Sequence, residues 1–406
     1  MTRSLHCVLR DVTLKSVVAL ALAAPAFSNN TWIVDHANGP GTHFTSIPPA
    51  IAASVAGDVI LVRSGTYATF TLDRGVSILG QGAVFLSAYI YVSNVPAGEV
   101  AALYDIDSQS WLSGISISNC AGTVLVQRCD APYYVQNCSD VRLRDVTSGA
   151  FVPAEQDGLF LENSRVQVVG STLRGQDSAV FWCSYVYPAG DGIRCYGASQ
   201  LLLSRTSATG GKGGIADNCC FCFPTNGNGA DGAGLNAQGT GSSALVVLDG
   251  PGQLSGPNGS GNSAVFGSGV TAWNSNMTFV GNPPLVAAGA TLTNTPTLEP
   301  TLELLGTPLP NSMVTLRLRA TPGVAVRLNL GKIPIVQSQP GILVDGLVLK
   351  ERGFDRGLVP PSGILDTPWM FQPGALPGKL LIFQAKVTDP FTNVTQKSNS
   401  IETIVQ

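Results

Sequence analysis

The chain repeats itself between Trp111 and about Gly250, and this repetition constrains its fold more than any other feature. Each repeat carries a short polar motif, followed within a few residues by an apolar run. The motifs and runs are Asn119-Cys120 with Val124-Leu125-Val126, Asn137-Cys138 with Val141-Arg142-Leu143, Asn163-Ser164 with Val166-Gln167-Val168, and Ala198-Ser199 with Leu201-Leu202-Leu203. Short strands joined by Gly, Asn and Ser turns, with no amphipathic helix between them, predict a coil of parallel strands.

The composition agrees with an all-β fold that is rich in turns. The 406 residues include 46 Gly and 26 Pro, while charged residues make up only 12% of the chain. The formal net charge is −3, so the chain lacks the field of Lys and Arg with which nucleic-acid recognition begins. We therefore predict that no nucleic acid is among its partners.

Residues 1–26 have the pattern of an export signal. Three basic residues precede the apolar run 17–24, and Ala24-Pro25-Ala26 fits a small-x-small cleavage site. The apolar run is too short to span a bilayer, and no later segment is long and apolar enough. We expect an exported protein without a membrane span, which is secreted or held at the cell surface.

The cysteine content is consistent with export. Of nine cysteines, Cys7 lies in the predicted signal, which leaves an even number, and this favours disulfides in an exported chain. Cysteines within the repeat strands would instead pack as small free thiols. Two long inserts hold Cys183, Cys219, Cys220 and Cys222. A bridge from Cys183 to one of the other three is favoured over zinc, because no His lies nearby and paired CxxC spacing is absent.

Residues 44–58 predict a short helix that covers the start of the coil. Thr45 or Ser46 can cap it, two prolines suit its first turn, and Gly57 suits its end. Its predicted apolar face is Ile47, Ile51 and Val55. An open-ended coil of strands needs such a cover, since its terminal strand otherwise exposes unpaired backbone.

This opening resembles that of right-handed parallel β-helix proteins of the pectin-lyase and pectin-methylesterase kind. The matching segments are Phe44-Thr45-Ser46-Ile47, Ile51-Ala52-Ala53 and the run from Gly57-Asp58 to Gly65-Thr66-Tyr67. In that family the helix caps the coil and Gly-Thr-Tyr ends the first strand. The resemblance implies an all-β, right-handed parallel β-helix over residues 27–290. It implies no activity, because the same opening precedes enzymes and non-enzymes.

The sequence changes in character after residue 290. Residues 291–300, with four Thr and two Pro, are predicted to be a linker. Residues 301–406 contain alternating strands at the spacing of a small β-sandwich. Three segments resemble a C-terminal β-sandwich module of secreted bacterial proteins, namely 363–366, 383–387 and 398–400.

Asn119, Asn137 and Asn163 occupy equivalent turns of the repeats. We expect them to stack as an internal ladder, with each amide bonding the turn above, rather than to act in catalysis.

Two repeats carry long inserts, 176–190 and 211–230, at the same place before an Asp-Gly dipeptide. Both should leave the coil on one edge as neighbours, and such inserts often form the binding face of a repeat protein. Their aromatic rings could stack on the C–H faces of sugars, or else cover a small core within the inserts. The candidate sugar-binding residues are Trp182, Tyr185, Tyr187, Phe221 and Phe223.

Carboxylates recur on the same edge. Asp157, Asp191 and Asp231 each precede a glycine, and stacked carboxylates could hold Ca²⁺ or raise one another's pKa for acid–base work. The alternative is that Asp-Gly is simply a turn.

One further fragment, Gly175-Gln176-Asp177-Ser178, resembles the Gln-Asp-Thr element of pectin methylesterases. That resemblance would give Gln176 the stabilisation of an oxyanion and Asp177 the acid–base role. The other signatures of pectin esterases and polygalacturonases are absent from the sequence.

Two functions follow from these features. The first is a non-catalytic carbohydrate-binding or adhesion protein, which binds a polysaccharide or cell-surface glycan along the insert edge. The alternative is a polysaccharide lyase or carbohydrate esterase that acts on acidic, pectin-like glycans. Its candidate catalytic residues are Gln176, Asp177, Asp191 and Arg194.

Overall fold

A computed structural model describes residues 30–108, 114–148, 157–178, 180–181, 185–186, 188–213, 230–239, 244–249, 252–259, 261–274, 277–294, 300–331, 334–339, 342–347, 352–371, 380–391, 393 and 395–404. The predicted export signal, residues 1–26, lies outside them.

From residue 31 to residue 294 the chain winds as a coil whose strands pair in parallel with those of the neighbouring turns. This confirms the predicted parallel β-helix. The first sheet contains, in pairing order, Thr31–Val34, Val59–Tyr67, Ser77–Leu86, Val100–Tyr104, Thr123–Gln127, Asp140–Arg144, Arg165–Val169, Gln200–Ser204, Ala244–Asp249, Val270–Asn274 and Thr291–Asn294, and Asp107–Ser108 also pairs with Ser77–Leu86. The second sheet contains Phe70–Leu72, Ile90–Ser93, Ile115–Ser118, Tyr133–Gln136, Leu159–Glu162, Ile193–Tyr196, Leu235–Gln238, Ala264–Phe266 and Leu285–Val286. The third sheet contains Thr147–Ser148, Thr172–Arg174, Ser207–Thr209, Gly252–Ser255 and Met277–Val280.

One turn of the coil shows how the three sheets are connected. The strand Tyr133–Gln136 belongs to the second sheet, Asp140–Arg144 to the first and Thr147–Ser148 to the third. The chain then returns to the second sheet at Leu159–Glu162, where Tyr133 is in register with Leu159. Each turn therefore lies directly above the preceding one.

The interior of the coil is a continuous apolar core. Ile117, Val135 and Leu161 share one register position on successive turns, and all three are fully buried. Burying a side chain of this size contributes about 1.5–3 kcal/mol. Because parallel pairing repeats the inward position on every turn, contacts between turns stabilise the coil.

Asn119, Asn137 and Asn163 stack at one corner, but outside the coil. Their φ angles are 55°, 52° and 47°, a left-handed conformation that Asn adopts more readily than most residues. Nδ2 of Asn137 donates to Oδ1 of Asn119 at 3.3 Å, and Oδ1 of Asn163 accepts from the Ala198 N–H at 3.1 Å. All three residues are exposed. The stacking is therefore confirmed, and the expectation of an internal ladder is wrong.

The buried polar ladder is formed by the residues that follow this corner. Oγ of Ser164 accepts from the Cys138 N–H at 3.0 Å, and Oγ of Ser199 accepts from the Ser164 N–H at 3.3 Å. Within the described residues the free, buried cysteines are Cys120, Cys129, Cys138 and Cys195. The predicted bridge from Cys183 to Cys219, Cys220 or Cys222 lies outside those residues.

A helix at Ile47–Ala53 precedes the first full turns, as predicted. It follows the extended Ser46, carries Pro in its first turn, and buries Ile47 and Ile51. It ends before Gly57, so Val55 lies beyond it and is 53% exposed. The prediction that Val55 belongs to the apolar face is wrong. In the part of the chain that the structure describes, no helix has the length and apolar character needed to cross a membrane.

The coil extends further than the sequence indicates. Thr291–Asn294 pairs in parallel with Val270–Asn274 as the last strand of the first sheet. Residues 291–294 are therefore part of the coil and not of a linker, while residues 295–299 lie outside the described residues.

Antiparallel sheets follow from residue 301, which confirms the β-sandwich. One sheet contains Thr301–Leu305, Met313–Arg319 and Ile364–Met370, the other contains Arg352–Leu358, Ala325–Gly331, Leu380–Thr388 and Thr395–Ile404, and a hairpin joins Pro334–Gln339 to Ile342–Leu347. Leu316 and Leu318 of the first of these sheets share a buried core with Leu328 and Phe383 of the other.

We expect Asn137→Ala to destabilise the coil and Asn137→Gly to leave it nearly unchanged. A non-glycine residue in the left-handed conformation costs about 1–2 kcal/mol, whereas glycine adopts it freely. The apparent unfolding temperatures of the two variants, followed by circular dichroism, measure the difference. An equal loss in both variants would contradict this and attribute the effect to the amide hydrogen bond.

Candidate functional site

The two inserts leave and rejoin the coil side by side, as predicted. The Gly190 N–H donates to the carbonyl of Gln176, the Gly211 N–H to that of Gly190, and the Gly232 N–H to that of Gly211, each at 2.9 Å. A Cβ on Gly211 would lie 1.8 Å from the Gln176 carbonyl oxygen. Only glycine permits this approach, so the insert bases form one continuous backbone junction.

Gln176 and Asp177 lie at this junction. Gln176 is 3% exposed, and its Oε1 has no hydrogen-bond partner among the described residues. Asp177 accepts a hydrogen bond from Nη2 of Arg174 at 2.9 Å and from the backbone N–H of Lys212 at 2.8 Å. The Asp177 carboxylate therefore connects the base of the first insert to that of the second.

Asp157 and Asp191 lie on neighbouring turns and share the guanidinium of Arg194. Nη2 of Arg194 is 3.2 Å from Oδ1 of Asp157, and its Nε donates to Oδ2 of Asp191 at 2.9 Å. The carboxylates also accept backbone N–H groups, Asp157 from Asp191 and Asp191 from Ala233, both at 2.7 Å. Burial lowers the pKa of Arg194, but the charges of the two carboxylates outweigh it and raise that pKa.

Asp231 is two residues out of register with the other two carboxylates. Ile193 pairs with Leu235, so the position of Asp191 is taken on the next turn by Ala233. Asp231 instead accepts a hydrogen bond from the Gly213 N–H at 2.7 Å. Among the described residues, no group of three or more His, Cys, Asp or Glu side chains could hold a metal ion. The predicted calcium site of Asp157, Asp191 and Asp231 is not formed there.

The predicted sugar-stacking residues of the inserts are mostly beyond what the structure describes. Those outside the described residues are Trp182, Tyr187, Phe221 and Phe223. The backbone of Tyr185 pairs with that of Phe181 in a short antiparallel hairpin.

A different aromatic surface lies on the outer side of the second sheet. We refer to Tyr89, Tyr91, Tyr134, Phe160 and Tyr196 as the aromatic face. The rings of Tyr134 and Phe160 stack with centroids 4.5 Å apart and planes at 12°. The rings of Phe160 and Tyr196 stack at 6.2 Å, and those of Tyr89 and Tyr91 at 6.1 Å. Four successive turns carry Tyr91, Ser116, Tyr134 and Phe160 at the same outward register position.

Ser116 interrupts this row and leaves a pocket of about 300 Å³ between Tyr91 and Tyr134. Tyr91 and Tyr134 are 45% and 44% exposed, so the pocket walls face the solvent. The remaining lining residues include Tyr89, Pro132, Asp157 and Phe160. The inserts connect the third sheet to the second, so this pocket lies beside the edge from which they emerge.

The sequence carries a spacing signal for this face, which was not among the predictions above. In four repeats the outward residue stands three positions before the corner Asn, as Tyr91 does before Asn94 and Tyr134 before Asn137. Ser116 and Phe160 have the same spacing from Asn119 and Asn163. The spacing places these side chains in one row once the repeats are aligned on the Asn.

The described strands define the class of the molecule, an all-β protein with a parallel β-helix followed by an antiparallel β-sandwich. No protein-family model matches the chain, and no curated protein matches it.

We expect Arg194→Met to destabilise the protein more than Arg174→Met does. The variant leaves the largely buried Asp157 and Asp191 carboxylates on neighbouring turns without their shared cation. The Arg194 side chain is 31% exposed, so the loss should stay below the roughly 3–5 kcal/mol typical of a fully buried pair.

Chemical denaturation of each variant against the parent chain measures this loss. Arg174→Met is the matched control, because its ion pair with Asp177 is about half exposed and should contribute no more than about 1 kcal/mol. Equal losses of stability in Arg194→Met and Arg174→Met would contradict the assignment.

Proposed function

We propose that this chain is an exported, non-catalytic carbohydrate-binding protein, which binds a polysaccharide or cell-surface glycan on the aromatic face. The observation that carries the proposal is the stack of Tyr134 on Phe160 beside the pocket at Ser116. Aromatic rings offer apolar area, and Tyr adds a polar edge. That combination suits sugars, which present both C–H faces and hydroxyl groups.

The direction of the face suits an extended glycan. Each ring comes from a different turn of the coil, and neighbouring parallel strands lie about 4.8 Å apart. Tyr91 and Phe160 are three turns apart, so they are separated by roughly 14 Å along the coil. A chain of several sugar rings would lie along this row, parallel to the coil axis.

The charges beside the face favour a neutral glycan over an acidic one. Glu162 lies on the same strand as Phe160, and its Oε2 accepts a hydrogen bond from Nε2 of Gln136 at 2.8 Å. Asp157 borders the pocket, and the charge of Arg194 is shared between Asp157 and Asp191. The carboxylates of Asp157, Glu162 and Asp191 therefore outnumber the guanidinium of Arg194, and the carboxylate of a uronic acid would be repelled.

Export forms part of the proposal and rests on the pattern of residues 1–26. The free, buried cysteines among the described residues of the coil are compatible with it, because buried thiols pack as small apolar groups.

The alternative is a polysaccharide lyase or carbohydrate esterase. One observation favours it, because Asp157 borders the pocket and shares Arg194 with Asp191. The contacts of Asp191 count against it, since Oδ1 accepts from Ala233 and Oδ2 from Arg194 and Asn236. The test is whether the protein releases unsaturated uronate or methanol from pectin. Release that is lost in Asp191→Asn would support the enzyme and contradict the binding proposal.

We expect Phe160→Ala and Tyr134→Ala each to weaken glycan binding by about tenfold or more, which corresponds to about 1.4 kcal/mol. Affinity electrophoresis against neutral glucans, xylan and polygalacturonate measures the change and tests the preference for neutral chains. Phe391→Ala is the matched control, because Phe391 is 92% exposed and lies in the sandwich.

Ser116→Trp provides a second arm of the same test. The larger side chain would fill the pocket between Tyr91 and Tyr134, so binding should fall while the unfolding temperature is kept. Wild-type affinity in both Phe160→Ala and Ser116→Trp would exclude the aromatic face as the binding site.

A further inference from the structure

Two thiols lie next to each other in the buried ladder that follows the Asn corner. Cys120 and Cys138 occupy equivalent places on neighbouring turns, and backbone hydrogen bonds align the turns on both sides of them. The Asn119 N–H donates to the Gln136 carbonyl before the cysteines, at 2.9 Å. The Ser139 N–H donates to the Cys120 carbonyl after them, also at 2.9 Å. The two cysteines therefore share one register position.

The separation of two residues at one register position suits a disulfide. Neighbouring parallel strands lie about 4.8 Å apart, and the α-carbons of bridged cysteines are usually about 4.4–6.8 Å apart. Both side chains belong to the same apolar core, where Cys120 is 1% and Cys138 is 3% exposed. The structure holds both as free thiols, so a bond between them requires rotation of the side chains while the backbone keeps its register.

The surroundings of Cys120 make it the more nucleophilic thiol. Hydrogen bonds from the Cys138 thiol and from backbone N–H groups, that of Val95 among them, lower the pKa of Cys120 although burial raises it. Burial instead raises the pKa of Cys129 and that of Cys195 to about 12. Because the thiolate is the reactive form of cysteine, an oxidant should attack Cys120 first among the described cysteines.

The pair lies one residue below the surface of the coil. Each cysteine stands between two exposed residues, which are Asn119 and Ala121 for Cys120, and Asn137 and Ser139 for Cys138. A small oxidant such as hydrogen peroxide therefore reaches the thiols when this corner opens locally.

Cys195 is a buried thiol of the same coil without this arrangement. It lies in register with Leu161 on one neighbouring turn and with Ala237 on the other. No second thiol can therefore bond to it from the adjacent register positions, and Cys195 serves as the internal control.

We propose that Cys120 and Cys138 are a redox-active pair, which hydrogen peroxide converts into a disulfide between two neighbouring turns of the coil. The Cys120 thiol attacks the O–O bond of the peroxide, becomes a sulfenic acid and releases one water. The Cys138 thiol then attacks that sulfur, forms the S–S bond and releases a second water. The peroxide gains two electrons, and the two thiols lose two hydrogen atoms.

This site goes beyond the proposed glycan-binding function, because both cysteines lie in the core and neither belongs to the aromatic face. The bond ties the turn of Ser116 to the turn of Tyr134, two residues that line the same pocket. A disulfide restricts the unfolded chain, so the oxidised coil resists unfolding more than the reduced one.

The test treats the whole reduced chain with hydrogen peroxide and then blocks the remaining thiols. Trypsin and chymotrypsin cut after Arg128 and Tyr134, which places Cys120, Cys129 and Cys138 on different peptides. Mass spectrometry should find the peptides of Cys120 and Cys138 joined, and a reductant should separate them. The oxidised chain should also unfold at a temperature a few degrees higher than the reduced chain.

Two variants assign the bond to this pair. Serine already occupies the ladder on the following turns, at Ser164 and Ser199, so Cys120→Ser and Cys138→Ser should both fold. Each should lose the joined peptide and the rise in unfolding temperature on oxidation. Cys195→Ala is the matched control and should keep both. Cysteines outside the described residues are the same in all these chains, so the differences report on the pair.

Three results would overturn the proposal. The first is the absence of the joined peptide after peroxide treatment, whether Cys120 remains a thiol or becomes a sulfinic acid. The second is a peptide in which Cys120 or Cys138 is joined mainly to another cysteine. The third is an equal rise in unfolding temperature on oxidation in the parent chain and in both serine variants.

Discussion

Hydrogen bonds between parallel strands of neighbouring turns set the position of every other feature in the coil. Because Tyr133 lies in register with Leu159 and with Ile115, each residue type at a given position becomes a row along the coil. The same constraint gives a buried apolar column, an exposed row of Asn at one corner, and an aromatic row on the second sheet. A single ladder of backbone bonds thus produces both the core and the candidate sites.

Much of the fold follows from local chemistry that the sequence displays. Asn119, Asn137 and Asn163 mark left-handed corners because Asn tolerates positive φ better than most residues. What local chemistry does not reveal is where each element ends. Val55 has the right spacing for the helix face, but the helix stops at Ala53. Thr291–Asn294 has the composition of a linker. It forms a strand nonetheless, because it pairs with the edge of Val270–Asn274.

The positions of the candidate site residues depend on the register between turns. This register cannot be predicted from the sequence where an insert changes the length of a repeat. Asp231 precedes a glycine, as Asp157 and Asp191 do. Because Ile193 pairs with Leu235, however, Asp231 lies two positions before the register position of Asp191. The row of Tyr134 and Phe160 could be predicted from the spacing of each residue to the Asn at the end of its strand, since no insert falls between the two. A pocket between the coil and the sandwich could not be predicted from the sequence, because Arg205 and Glu303 in its lining are about a hundred positions apart and pair only through packing.

The backbone junction of the two insert bases affects how the inserts of such a chain can evolve. The insert bases are held by bonds between backbone groups of Gln176, Gly190, Gly211 and Gly232, and these bonds are indifferent to the side chains beyond them. The loops can therefore be exchanged or lengthened as cassettes while the coil keeps its pitch. A foreign loop grafted between Asp177 and Ala189 would be displayed on a rigid scaffold without redesign of the scaffold itself.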